Sequence, residues 1–234
     1  MKRIESGIEQ LDQLLYGGIP HGRTYLVSGE PGTGKTIFSI QYLLKGVSSG
    51  EKSVYISIDE KPELVILDIE TLGWDIQSYL ANGLLQILDF SSYFGKFNFE
   101  DMVSMDRLIE AIIQFVEKEE VSRLVIDPIA PLIFSERSMG IIAEYIRKLV
   151  FSLENHGRCT TFLTSYVPVG SEKLSQHGIE EFTVSGIIHL KFLKNHTKSI
   201  RSITIRKMRG TRIDLSEYSY EILPQRGIVL RQPI

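Results

Sequence analysis

The chain has 234 residues, enough to bury a full core without disulfide or metal staples, and is expected to form one domain over 1–234. A formal net charge of −3 argues against a protein held to nucleic acid by bulk electrostatics, although local basic patches remain compatible with it. The single cysteine, Cys159, excludes a disulfide framework and reads as a small buried strand residue; without an apolar leader or a run of membrane-spanning length, the expectation is a soluble cytoplasmic protein with no membrane partner.

Residues 6–22 read as a short amphipathic turn of helix closed by Gly17 and Gly18, then a tight turn into a first strand. That strand, Tyr25 to Val27, runs into Gly29, Gly34, Lys35 and Thr36 at the spacing G-x-x-x-x-G-K-[ST]. In this pattern backbone N–H groups wrap phosphates, the lysine reaches the terminal ones and the hydroxyl holds Mg²⁺. The required context is present: an apolar strand before, and after it a helix from Ile37 to Lys45 without proline or glycine, whose N-terminus adds partial positive charge. Gly32, Thr33, Gly34, Lys35, Thr36 and Ile37 are the expected nucleotide-binding positions, with Lys35 also serving catalysis.

A second strand, Lys52 to Ile58, ends on Asp59 and Glu60, and Pro62 opens a helix that reaches about Leu72 and stops at Gly73. A third strand is expected at 84–90, a polar and aromatic loop at 91–99, and a helix at 104–119 striped by Leu108, Ile112, Phe115 and Val116. The fourth strand, Arg123 to Asp127, is apolar on both faces, as a central parallel strand should be. A helix at 138–155 stacks Ile141, Tyr145, Leu149 and Leu153, and a fifth strand runs from Cys159 to Ser165. This alternation predicts an α/β fold with a mainly parallel sheet flanked by helices. After a polar loop at 168–181, strands at 186–193, 199–208, 217–222 and 227–230 follow with no helix between them, which predicts a C-terminal antiparallel extension.

Asp127 ends an apolar strand about ninety residues after the glycine-rich loop, where a P-loop fold puts the carboxylate that orients Mg²⁺; the alternative is a strand-end turn cap helped by Pro128. Asp59 and Glu60 lie at the carboxyl end of a neighbouring strand, the edge that faces ligand, where one of them can activate the water that attacks the γ-phosphate. Their alternative is charge placed at the start of the following helix. Thr164 and Ser165 end the fifth strand on the same edge and are candidates to bond the water or the acids. From Lys191 to Arg212 there are eight basic residues and no acidic one. This run reads as a nucleic-acid patch, as a solvated strand face, or as cations for phosphate: Lys207 and Arg209, two apart on a strand, stand about 7 Å from each other. Reaching the phosphates of an adjoining subunit, they would act as an arginine finger does.

Taken together these motifs resemble the single-domain KaiC-like ATPases of the RecA superfamily, and the resemblance covers nearly the whole chain. It is carried by Ser6 to Gly22, the loop Gly29 to Thr36, Asp59 and Glu60 with Pro62, Gly73 to Asp75, Asp127, Gly178 to Phe182 and Lys207 to Thr211, in family order and spacing. The resemblance implies an ATPase that forms a homo-oligomer, a hexameric ring with ATP at the interfaces. It also implies ATP and Mg²⁺ as cofactors, Asp59 and Glu60 as water-activating acids, and Lys207, Met208, Arg209 and Thr211 at the neighbour's nucleotide. Thr71 matches a position that touches the base or ribose side.

Three departures qualify it. Asp59 stands where the family commonly has glutamate, Pro128 replaces a common Ser or Thr, and the phosphorylated Ser-Thr pair of the clock protein's second domain would fall near Glu181 and Phe182, so autokinase activity is not expected. The leading expectation is slow, Mg-dependent ATP hydrolysis coupled to ring assembly or switching, with output to an unknown protein partner. Two alternatives are an ATP-dependent scaffold with negligible hydrolysis, favoured by Pro128 and Asp59, and a RadA-type recombinase paralogue binding single-stranded DNA, favoured by the basic run and opposed by the net acidity.

Overall fold

In the computed structural model, residues 1–90, 102–129, 139–155, 157–195 and 198–234 are described. Their elements are β1 (Arg3–Ile4), α1 (Glu9–Leu14), β2 (Ile19–Pro20), β3 (Thr24–Gly29), α2 (Lys35–Ser48), β4 (Ser53–Ser57), α3 (Pro62–Thr71), α4 (Gln77–Ala81) and β5 (Leu85–Asp89). Then come α5 (Met102–Lys118), β6 (Arg123–Asp127), α6 (Met139–Asn155), β7 (Thr160–Tyr166), α7 (Glu180–Thr183), β8 (Gly186–Asn195), β9 (Lys198–Met208), β10 (Tyr218–Leu223) and β11 (Gly227–Pro233).

Nine strands form one sheet in the order β11-β10-β9-β8-β3-β7-β6-β4-β5. From β5 to β8 every pairing is parallel, and β9, β10 and β11 then run antiparallel to their neighbours. The expected mainly parallel sheet with an antiparallel C-terminal extension is therefore the observed architecture. The strands β3, β4 and β6 are buried at every position, which is why they read as continuous apolar runs rather than alternating ones.

Alternation of side chains across these strands builds two apolar layers. Tyr25, Val27, Tyr55, Val125 and Phe162 face α1, α2 and α3, whereas Leu26, Val54, Ile56, Leu124, Ile126 and Leu163 face α5 and α6. Phe162 lies at the centre of the first layer, fully buried, with edge-on contacts to Phe38 at 5.2 Å and Tyr42 at 4.8 Å and a tilted contact to Tyr25 at 5.5 Å between ring centroids. Cys159 is buried just before β7, where burial pushes its thiol up to about 12, so it is a packing residue.

The differences from expectation are short elements. A two-stranded sheet of β1 and β2 ties the N-terminal lead-in, α4 follows Asp75, and α7 occupies the end of the stretch expected to be loop to 181. Two residues of strand or one turn of helix contain too few positions to show a period. The loop expected at 91–99 lies outside the described residues, as does position 138, where the helix to 155 was expected to begin.

Replacing Phe162 by alanine should remove about 3–5 kcal/mol of stability through cavity formation, and Phe162→Leu clearly less. Urea unfolding midpoints at fixed pH check both; equal losses would mean the aromatic cluster does not centre this layer.

Candidate nucleotide site

The phosphate loop leaves β3 at Gly29, where the chain passes so close to β8 that a Cβ would stand 2.2 Å from the Leu190 carbonyl oxygen. It enters α2 through Gly34, at φ +93°, where a Cβ would stand 2.8 Å from Ile222 Cδ1. Two of the motif's glycines are thus required by strand contact and by left-handed backbone.

Lys35, at the first turn of α2, is only 6 % exposed. Its Nζ donates to the carbonyls of Gly29 at 2.9 Å and Glu30 at 3.0 Å and sits 4.7 Å from the Tyr166 ring centroid. Burial lowers its pKa to about 8, against the opposing pull of Asp127. The ammonium is thus held, partly desolvated, at the loop it is meant to serve.

Asp127 closes β6 and is 7 % exposed. Its Oδ2 accepts a hydrogen bond from Thr36 Oγ1 at 3.1 Å and another from the Tyr55 hydroxyl, and its Oδ1 accepts one from Thr164. Thr36 and Asp127 therefore present adjacent oxygens at the mouth of the loop. This donor set suits Mg²⁺, which takes one or two protein oxygens and completes its shell with phosphate and water.

Asp59 and Glu60 follow β4, whose Ser57 pairs in register with Asp127, so both acids lie at the same sheet edge as the loop. Burial raises the pKa of Asp59, with Asp127 adding to it; Glu60 is raised by burial, then by Asp68 and Asp127. The Ser57 hydroxyl donates to the Glu60 carbonyl at 2.6 Å and pins the backbone there. Proton affinity raised in this way is what a general base for water needs.

Several neighbours of the loop carried no signal in the sequence. The Tyr220 hydroxyl donates to the Thr33 carbonyl, and Arg201 Nε donates to the Gly32 carbonyl at 3.4 Å with its guanidinium 5.5 Å from the Phe192 ring centroid. Phe192, Arg201 and Tyr220 are cross-strand partners on β8, β9 and β10, so the antiparallel extension backs the phosphate loop. The two hydroxyls at the end of β7 divide: Thr164 joins Asp127, and Ser165 turns away to Glu180 at 3.3 Å.

The remaining candidates lie elsewhere. Thr71 is exposed at the end of α3, its hydroxyl donating to Leu67 O at 2.8 Å. Because β9 is antiparallel, Lys207 pairs with Ile187 and Met208 with Gly186, at the edge where β3 begins rather than where it ends. Arg209 lies in the turn beyond β9, not on the strand, yet its Nη2 reaches the Phe182 carbonyl at 3.3 Å beside the Glu181 carbonyl that accepts Lys207 Nζ at 2.7 Å. Thr211 Oγ1 accepts from Arg3 at 3.0 Å. The structure brings Lys35, Thr36 and Asp127 together with the two acids near them, and keeps Lys207, Met208, Arg209 and Thr211 away from this chain's own loop.

Comparison with known proteins gives the family. A family model described as "ATPase: KaiC" matches residues 4–233. A UPF0273 protein of Pyrococcus furiosus is 31 % identical over 237 residues, covering 98 % of this chain and 94 % of that one. The circadian clock oscillator protein KaiC of Thermostichus vulcanus is 30 % identical over 223 residues, covering 95 % of this chain but 43 % of that longer protein. The crystal structure of a KaiC-like protein from Pyrococcus horikoshii superposes with a TM-score of 0.85 at 34 % identity, covering 99 % of each chain. With a glycine-rich loop, a lysine and a hydrogen-bonded hydroxyl-carboxylate pair at one sheet edge and a family match over almost all of its length, the chain belongs to the KaiC-like ATPases of the RecA superfamily.

Proposed function

We propose that the chain is a single-domain, Mg-dependent ATPase whose active site is completed by a second copy of itself, hydrolysing ATP slowly and coupling it to assembly or switching of a homo-oligomeric ring. The observation that carries this reading is the register of β9. Gly29 is level with Leu190 and Ile203, whereas Lys207 is level with Ile187, three ladder steps or roughly 10 Å towards the opposite edge. Cations so placed cannot turn back to their own loop, but they project from the edge that a neighbour can meet.

In this reading the N–H groups of Gly32 to Ile37 wrap the phosphates, Lys35 exchanges two backbone carbonyls for phosphate oxygens, and Thr36 and Asp127 hold the metal. Mg²⁺ held there would supply neutralisation of phosphate charge. Asp59 or Glu60 orients water in line and takes its proton, and the neighbour's Lys207 and Arg209 neutralise the charge that develops on the transferred group. The need for two chains, and a first acid one methylene shorter than glutamate, favour slow turnover.

Three measurements test the reading. Nucleotide-free Lys35 titrates near pH 8, so at pH 8–9 Mg-ATP binding should be accompanied by proton uptake, visible as a dependence of calorimetric enthalpy on buffer ionisation heat. The same depression means that between about 8 and the ordinary value of 10.5 the unfolded chain holds a proton the folded chain lacks, so this group's contribution to stability rises with pH across that window and its burial cost is fully present below it. Absence of proton uptake would overturn the pairing of a lowered Lys35 pKa without nucleotide and phosphate contact in the complex.

Light scattering behind size-exclusion chromatography should show an oligomer with Mg-ATP, and Arg209→Ala should bind Mg-ATP normally while losing about 10³-fold or more in phosphate release. A chain that stayed monomeric with ATP bound, or an Arg209→Ala protein with unchanged turnover, would remove the shared site.

A further inference from the structure

Between β7 and β8 the chain crosses from one edge of the sheet to the other, and a carboxylate is buried in that passage. Glu180 has no exposed surface. Burial pushes its pKa up, but hydrogen bonds from His177, its own amide and the Ile179 amide outweigh that and hold it at about 2, so the group is an anion at all working pH. Its Oε1 accepts from Ser165 Oγ at 3.3 Å and lies 3.2 Å from His177 Nδ1, and its Oε2 accepts from the Ile179 N–H at 3.2 Å.

The surrounding bonds lock the same passage. Ser165 Oγ accepts from the Gln176 N–H at 3.1 Å, and Ser175 Oγ accepts from the Gly178 N–H at 3.1 Å while donating to the Glu181 carboxylate. Glu180 thus ties the single turn α7 to the end of β7, one residue from the Thr164 that holds Asp127. The last carbonyls of a helix have no partner within it. Here those of Glu181 and Phe182 accept Lys207 and Arg209.

We infer that Glu180 is a positioning residue for these two cations: by fixing the α7 carbonyls on which they rest, it sets the direction in which Lys207 and Arg209 leave the sheet edge towards the phosphates of a neighbouring copy. The inference rests on the shared site proposed above. It assigns a task to a buried anion that takes no part in the chemistry of its own chain's phosphate loop.

Glu180→Gln keeps the size of the side chain and removes its charge. Phosphate release should fall about tenfold or more while Mg-ATP affinity and oligomer size stay at wild-type values. Adding Glu180→Gln to the Lys207→Ala, Arg209→Ala double variant should slow it no further, because Glu180 acts through those two cations. The decisive arm mixes Glu180→Gln chains with Lys35→Ala chains before Mg-ATP is added. Sites that combine the loop of the first with the cations of the second regain turnover, so the mixture exceeds the sum of the two proteins assayed apart.

A mixture that gives only the sum, or Glu180→Gln protein at wild-type rate, overturns the inference. If Glu180→Gln fails to fold, His177→Gln removes one partner of the carboxylate and is put through the same mixing assay with the same outcomes. Arg209→Ala assayed alone separates the two claims: unchanged turnover there defeats the shared site itself, whereas slow Arg209→Ala beside fully active Glu180→Gln defeats only the role of Glu180.

Discussion

Parallel pairing of β3 with β7 on one side and β8 on the other is the constraint on which the nucleotide end depends. In that register Gly29 meets Tyr166 and Leu190, and across the sheet Ser57 meets Asp127. The candidate strands therefore end at one level, and the loop, Asp127 and the two acids converge without any long-range adjustment. A slip of one residue in β6 would turn Asp127 to the other face and put an apolar side chain in its place beside Thr36. The continuous burial of β3, β4 and β6 is what prevents such a slip, because each of their residues is specified by a packed layer.

The buried ammonium of Lys35 is costly to hold. Lys35 is desolvated among backbone carbonyls and an aromatic ring, with Asp127 as the charge that opposes its loss of proton. In the function proposed above, phosphate oxygens would replace those carbonyls with full negative charge, which would improve the surroundings of the ammonium and not merely add a contact. The antiparallel strands act on the same loop: Tyr220 and Arg201 hold the carbonyls of Thr33 and Gly32.

Much of this was legible in the residues. The strand and helix alternation, the glycine spacing and the strand-end position of Asp127 each follow from local rules, and the helices flanking a parallel sheet follow from their alternation. Thr164 was recognisable as a strand-end hydroxyl, but its partner was not, because two adjacent hydroxyls at a strand end point to opposite faces and only the neighbouring strand order decides which meets Asp127. Tyr55, Tyr166, Phe192, Arg201 and Tyr220 were invisible as site residues for a related reason. In sequence they are ordinary strand residues, and their proximity to the loop is created by a sheet order that places β7 and β8 beside β3, sets β4 beside β6, and folds β9 and β10 back along β8. Glu180 is the extreme case: a charged residue in a polar stretch reads as solvated, and only tertiary contacts with Ser165 and His177 make it a buried anion.

The return of β9 along β8 has a consequence for symmetry. It carries the cations of Lys207 and Arg209 to one edge while the phosphate loop stays at the other, so the molecule has a front and a back that differ in chemistry. A two-fold axis sets the same patch against itself, and cannot seat one copy's back on another's front by contact of a single patch. Copies that join front to back propagate in one sense, and whether they close depends on the rotation per step and not on the strength of any contact. The direction of one hairpin thus gives the chain a polarity that a head-to-tail contact between copies would use.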